Sequence, residues 1–171
     1  FINEAQVTVA DVPATNGVVH VINAVLVPNL NPLPATVVDI IVNSPDHTTL
    51  EAAVGAAGLV GTLQGAGPFT VFAPTDAAFT ALPSPILDAV LADPALLTFI
   101  LTYHVAPVTA LSTDLSDGMM VTTLQGEEVM VTINGSGVFI NDAQVTVADV
   151  AASNGVVHVI DAILLPPVMP T

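Results

Sequence analysis

Apolar positions along this chain change period near its middle. In Thr36-Val37-Val38-Asp39, a hydroxyl followed three residues later by a carboxylate has the form of a capping box, and Val37, Ile40 and Ile41 then share one helical face. Ser44-Pro45 reads as a cap before a proline at the first helical position, with Leu50, Val54 and Ala57 as the apolar stripe up to Gly58. Gly65-Ala66-Gly67-Pro68 breaks the pattern, and the β-branched and aromatic run from Phe69 to Pro74 predicts a short buried strand. Thr75 is placed to cap the next helix, Asp76 sits at its positive end, and Phe79 and Leu82 face inward. Asp93-Pro94 repeats the cap-then-proline signal before Leu96, Leu97, Ile100 and Leu101.

From Met119 onward the period is two. Val129, Val131 and Ile133 alternate with Met130, Thr132 and Asn134, and turn signals stand at Gln125-Gly126, Asn134 to Gly137 and Ser153 to Gly155. The run from Gly155 to Leu165 is the most apolar strand. Helices early and antiparallel strands late predict an α+β domain with a wedge-shaped or β-sandwich-like core of antiparallel strands and several short helices at one side.

One segment occurs twice. FINEAQVTVADVPATNGVVHVINAVLVP from Phe1 returns as FINDAQVTVADVAASNGVVHVIDAILLP from Phe139, with 22 of 28 positions identical at an offset of 138. A period of that length is a domain. Residues 1–28 are too short to enclose a core, whereas 34–166 have ordinary single-domain size. Three prolines between Pro28 and Pro34 make 29–33 a stiff linker, and 167–171 a tail or the next linker.

Composition narrows the function. There are 15 Asp and Glu, four His and no Lys or Arg, giving a formal net charge of −15. Such a chain repels phosphate backbones and anionic lipid, which argues against nucleic-acid binding and electrostatic membrane docking. No run of 18 apolar residues is present for membrane insertion. Only 9% of residues are charged and 53% are hydrophobic, so weakly charged faces suited to packing module on module are one reading; a compositional habit of a saline or acidic habitat is the other. Without cysteine there is no disulfide and no thiolate nucleophile or ligand.

Three segments then resemble one family. FTVFAPTDAAF from Phe69 to Phe79, which contains Thr75 and Asp76, resembles the first signature of fasciclin-like (FAS1) domains; Tyr103-His104 is similar to their central pair; and GVVHVIDAILLP from Gly155 to Pro166, which contains His158, resembles their second signature. The resemblance implies a complete FAS1 domain over 34–166 and the closing strands of a preceding repeat in 1–28. It also implies a secreted or cell-surface tandem array in adhesion between cells, matrix and surfaces. Asp149-Val150, and Asp11-Val12 in the partial copy, stand where animal members carry an Asp-Ile element linked to integrin binding, although the flanking residues differ. The alternative is that Asp149 simply leaves its strand toward a turn.

Reactive groups are sparse. There is no G-x-S-x-G for a hydrolase, and Gly135-Ser136-Gly137 reads as a hairpin turn. His158 alternates with valines in a sheet, and His104 reads as a core histidine fixing a helix to a strand. No cofactor is expected. Asp114, Asp117, Glu127 and Glu128 lie in turns but do not match an EF-hand loop, so Ca²⁺ would bind diffusely, stabilising the module by screening like charges. The expected function is a non-enzymatic extracellular adhesion or structural module. Its partners would be other FAS1 modules or neighbouring chains, a surface receptor or a glycan. The alternative is a self-assembling filament or matrix subunit in which residues 1–28 pack with a neighbouring chain.

Overall fold

The computed structural model describes residues 7–22 and 35–167, in two compact units divided between Leu33 and Pro34. The expected linker over 29–33 and the tail beyond Pro167 lie outside the described residues. The first unit is a hairpin, β1 (Val7–Ala14) and β2 (Gly17–Ile22), paired antiparallel with register shifts between Val7 and Val9 and between Val9 and Val12.

The second unit begins with α1 (Val37–Val42), α2 (Thr48–Ala56) and α3 (Val60–Leu63). After β3 (Phe69–Pro74) come α4 (Asp76–Ala81), α5 (Ser84–Ala92) and α6 (Pro94–Tyr103). The chain then forms β4 (Val105–Ala106), β5 (Met120–Thr122), β6 (Glu128–Asn134), β7 (Gly137–Ile140), β8 (Ala143–Ala152) and β9 (Gly155–Ile160). Seven strands form one sheet in the order β4-β3-β9-β8-β7-β6-β5. The fold is α+β, as the periodicity predicts, but not every pairing is antiparallel: β3 runs parallel to β9 from Phe69↔Gly155 to Pro74↔Ile160. Those strands are far apart in sequence and joined through helices, which is the connection a parallel pair requires.

That central pair is covered on both faces, which is why both strands read as nearly continuous apolar runs. Val71, Ala73 and Val157 pack with Val37, Leu50 and Leu97 under the helices, while Phe72 and Ile160 pack with Tyr103, Val129, Val131 and Ile140 inside the curled sheet. The curl nearly closes into a barrel: Leu124 N donates to Val105 O at 2.7 Å and Gln125 N to Thr102 O at 3.3 Å. The predicted alternation in β6 fails at its end. Val129 and Val131 are buried, but Ile133 is exposed beside the tip where Asn134 pairs with Gly137, beyond the reach of the core.

Helix starts follow local chemistry at α1, α4 and α6 and tertiary contacts at α2. Thr36 and Asp39 form the expected capping box, and Val38 joins Val37 and Ile41 in the core where Ile40 is only half-buried. Asp93 accepts from Ala95 N and Leu96 N, with Pro94 opening α6. Ser44 is not a cap: its hydroxyl lies 2.7 Å from His47 Nδ1, and α2 begins three residues past Pro45, at Thr48. The first N–H groups of α2 instead donate to Asp76 at the start of α4, Thr49 N to Oδ1 at 2.7 Å and Thr48 N to Oδ2 at 3.3 Å.

The two hairpins share one register. Adding 138 to each β1–β2 pair reproduces the β8–β9 pairs: Val7↔Ile22 corresponds to Val145↔Ile160, Val9↔Val21 to Val147↔Val159, and Val12↔Val19 to Val150↔Val157, with the irregularities in the same places.

Candidate functional site

The second irregularity in β8 creates the most distinctive local geometry in the module. Two residues lie between Val147 and Val150 on β8 against one between Val157 and Val159 on β9, so β8 bulges. Asp149 takes up the bulge at φ 59°, a left-handed conformation that few residues other than glycine adopt and that Asp tolerates. It therefore does not leave its strand toward a turn; it sits within β8, exposed, while Val150 turns back against the helical core. The equivalent Asp11-Val12 lies at the matching bulge of β1, where Val12 is exposed; the Asp11 side chain falls outside the described residues.

A chain of hydrogen bonds holds that bulge. Ser112 N donates to Asp149 Oδ1 at 2.7 Å, and the Ser112 hydroxyl donates to Oδ2. The Ser112 hydroxyl and amide together pull the Asp149 carboxyl below its ordinary range. Asp149 N lies 3.3 Å from His158 Nδ1, and His158 Nε2 lies 2.7 Å from Ala110 O. A carbonyl only accepts, so Nε2 carries the proton and Nδ1 accepts the Asp149 amide. The ring is 1% exposed and stacks on Phe72 with centroids 5.9 Å apart. Thr70 finishes the anchorage, donating to Val108 O at 2.5 Å and accepting from Ala110 N at 2.8 Å. Residues 108–112 are thus tied to β3, β8 and β9 at once.

Next to this loop runs an open groove of about 360 Å³ between Pro107–Ala110 and Met119–Thr122. Val108, Met119 and Met120 all expose apolar surface there, Met120 to 47%. An ionised, fixed carboxylate and a soft apolar groove share one loop, a combination suited to recognising another surface.

The remaining motif residues are structural in geometry. His104 Nδ1 lies 2.8 Å from Ile100 O, and Nε2 accepts from Leu164 N at 2.9 Å. Its side chain thus fixes the end of α6 to the segment after β9, while its carbonyl accepts from Phe72 N of β3 at 2.8 Å. Burial pushes the imidazole down to about 4. Tyr103 donates to Glu128 O at 3.0 Å and accepts from Asn141 Nδ2 at 3.1 Å. Thr75 caps α4, and Asp76, pulled down to about 2 by the Thr48 hydroxyl and Thr49 amide, caps α2.

Ser112, Asp149 and His158 are the residue types of a hydrolytic triad, wired differently. In that chemistry an imidazole takes the serine proton while a carboxylate orients the imidazole. Here the carboxylate holds the serine and both ring nitrogens meet backbone groups. Ser136 lies in the turn joining β6 and β7. Asp114 accepts from Leu111 N at 3.3 Å and Asp117 from Ile133 N at 2.9 Å, in separate turns of the loop between β4 and β5. Among the described residues no group of three or more His, Asp or Glu converges on a metal position. Sequence reasoning did not single out Ser112, and it read Thr70 only as part of a strand and Asn154 only as part of a turn, because long-range hydrogen-bond partners leave no periodic signal.

Comparison with known proteins agrees with this architecture. The fasciclin domain family model matches residues 1–28 and 45–166. Protein sll1483 of Synechocystis sp. is 44% identical over 134 residues, 77% of this chain and 74% of that protein. Transforming growth factor-beta-induced protein ig-h3 of Sus scrofa is 36% identical over 172 residues, 96% of this chain but 24% of its own length, so the chain spans about a quarter of that relative. The solved FAS1 domain pair from the insect cell adhesion molecule fasciclin I superposes with a TM-score of 0.63 at 25% identity, covering 95% of this chain and 60% of that one. The chain belongs to the fasciclin domain family.

Proposed function

We propose that this chain is a non-enzymatic, extracellular adhesion or structural module of a tandem fasciclin array, with residues 1–28 as the closing strands of a preceding unit. The observation that carries the reading is the likeness, across 95% of the chain, to a domain pair from an insect cell adhesion molecule. The site supports it, since Asp149 and the Met119–Met120 groove form a recognition surface without a free nucleophile–base pair. Its partner is another fasciclin module, a surface receptor or a glycan. Diffuse cations, Ca²⁺ among them, neutralise the acidic surface.

Bead attachment tests this directly. Beads coated with the chain are expected to attach to cells or to one another more than albumin-coated beads, and Asp149→Ala or Met120→Glu to reduce attachment without loss of fold. Equal attachment of chain-coated and albumin-coated beads would sink the reading.

A further inference from the structure

The two hairpins differ in what surrounds them. Gly155 of β9 lies so close to β3 that a Cβ there would meet Phe69 O at 1.9 Å and Phe69 C at 2.7 Å. Asn154 beside it is buried: its Oδ1 accepts from Val37 N at 2.9 Å, and its Nδ2 donates to Leu63 O at 2.7 Å and Gly65 O at 2.8 Å. Both residues are therefore explained by docking against β3 and the helices. Their equivalents are Asn16 and Gly17. Both are exposed, a Cβ on Gly17 would meet nothing within 4 Å, and neither glycine has the left-handed φ that would require it. Among the described residues, nothing in the first unit calls for a glycine or an asparagine at these positions.

The backbone agrees. β9 lies between β8 and β3, with six residues in register on β3, whereas β2 pairs with no strand but β1 among the described residues. Over 7–22 and 145–160 only Pro13 for Ala151 and Thr15 for Ser153 differ. Ala151 and Ser153 are both exposed, and β7 pairs with β8 only at Ala143 and Gln144, so neither change falls on a buried contact. An unpaired strand edge already carrying the correct partner register is a template for pairing.

We propose that β1–β2 is an exchangeable closing hairpin, able to enter the module of a second copy of this chain in the place of that copy's β8–β9, with β2 parallel to β3. The inference rests on assigning residues 1–28 as closing strands and is independent of the adhesive reading. Each chain offers one hairpin and one acceptor, so the contact is heterologous and propagates head to tail into rings or filaments. In the wild-type chain the tethered β8–β9 hairpin has the advantage of effective concentration, so the exchanged form is minor.

Substituting one glycine at a time tips the balance either way. Gly155→Ala in the full chain drives the chain's own hairpin against Phe69 while leaving β1–β2 intact, and light scattering is expected to show concentration-dependent mass of at least twice the 17.3 kDa monomer. Adding Gly17→Ala is expected to return the mass to monomer. A G155A chain that stays monomeric at every concentration overturns exchange between copies. If G17A/G155A then melts below G155A, the hairpin closes its own module and its assignment as closing strands survives; if the two melt together, that assignment falls as well. Refolding from urea at high concentration tests the proposal without altering the module: the wild type should leave more oligomer than G17A, and equal yields overturn it.

Discussion

His104 and Asp149 show how single side chains are tuned by what they touch. The buried His104 imidazole is held near 4 against an ordinary 6.5, so the unfolded chain binds the proton more readily between those values. Its contribution to stability is complete above pH 6.5 and falls as the pH drops toward 4. In a His104→Gln variant the thermal midpoint should therefore change less between pH 7 and pH 4 than in the wild type, and parallel curves would contradict this. Asp149 is shifted the same way, but by hydrogen bonds to its charged form instead of by burial. Its carboxyl is lowered, so the Ser112 contact is retained above the ordinary carboxylate range and weakens only as acid reaches the folded-state value. Ser112→Ala should raise that carboxyl toward its ordinary range in an NMR titration; an unchanged value would mean the Ser112 amide alone holds it. Asp149 was visible in the sequence as a motif position, but Ser112 was not, because their 37-residue separation closes only in the fold.

At the scale of elements, the polar pins between strands and helices matter more than helix propensity. Asn154 ties the β8–β9 turn to α1 and to the end of α3 through three hydrogen bonds. Removing its amide leaves a buried N–H and two carbonyls without partners. Asn154→Ala should destabilise by about 2–4 kcal/mol in urea unfolding, whereas Asn16→Ala should leave the module's transition unchanged. Equal effects would show that the duplicated position is not explained by docking. Asp76 pins α2 to α4, and its carboxyl near 2 means this contribution is full above 3.8 and is lost as the pH falls through 2. The capping box at Thr36 and the cap-proline pair at Asp93 were legible because both partners lie within one turn. The start of α2 was not, because its cap is 28 residues away from Thr48.

The whole molecule carries a formal charge of −15 with no Lys or Arg, so added salt has almost only repulsion to screen. The screening length falls from about 10 Å at 0.1 M to about 3 Å at 1 M, and the thermal midpoint should rise steadily with NaCl. CaCl₂ at matched ionic strength should act like NaCl if cations bind diffusely, and a larger Ca²⁺ effect would reveal a specific site. A midpoint independent of salt would refute the screening account. The chain's 138-residue period, acidity, early helices, late strands and family signatures could all be read in the sequence, because each depends on residue identity or on neighbours within a few positions. Tertiary structure alone decided that β3 lies parallel to β9, that Asp76 caps a distant helix, that Asp149 is an anchored bulge, and that Gly155 has no room where Gly17 has nothing near it. Those features depend on which distant backbone segments approach, and two stretches as alike as 7–22 and 145–160 carry no local signal of which one meets a partner strand.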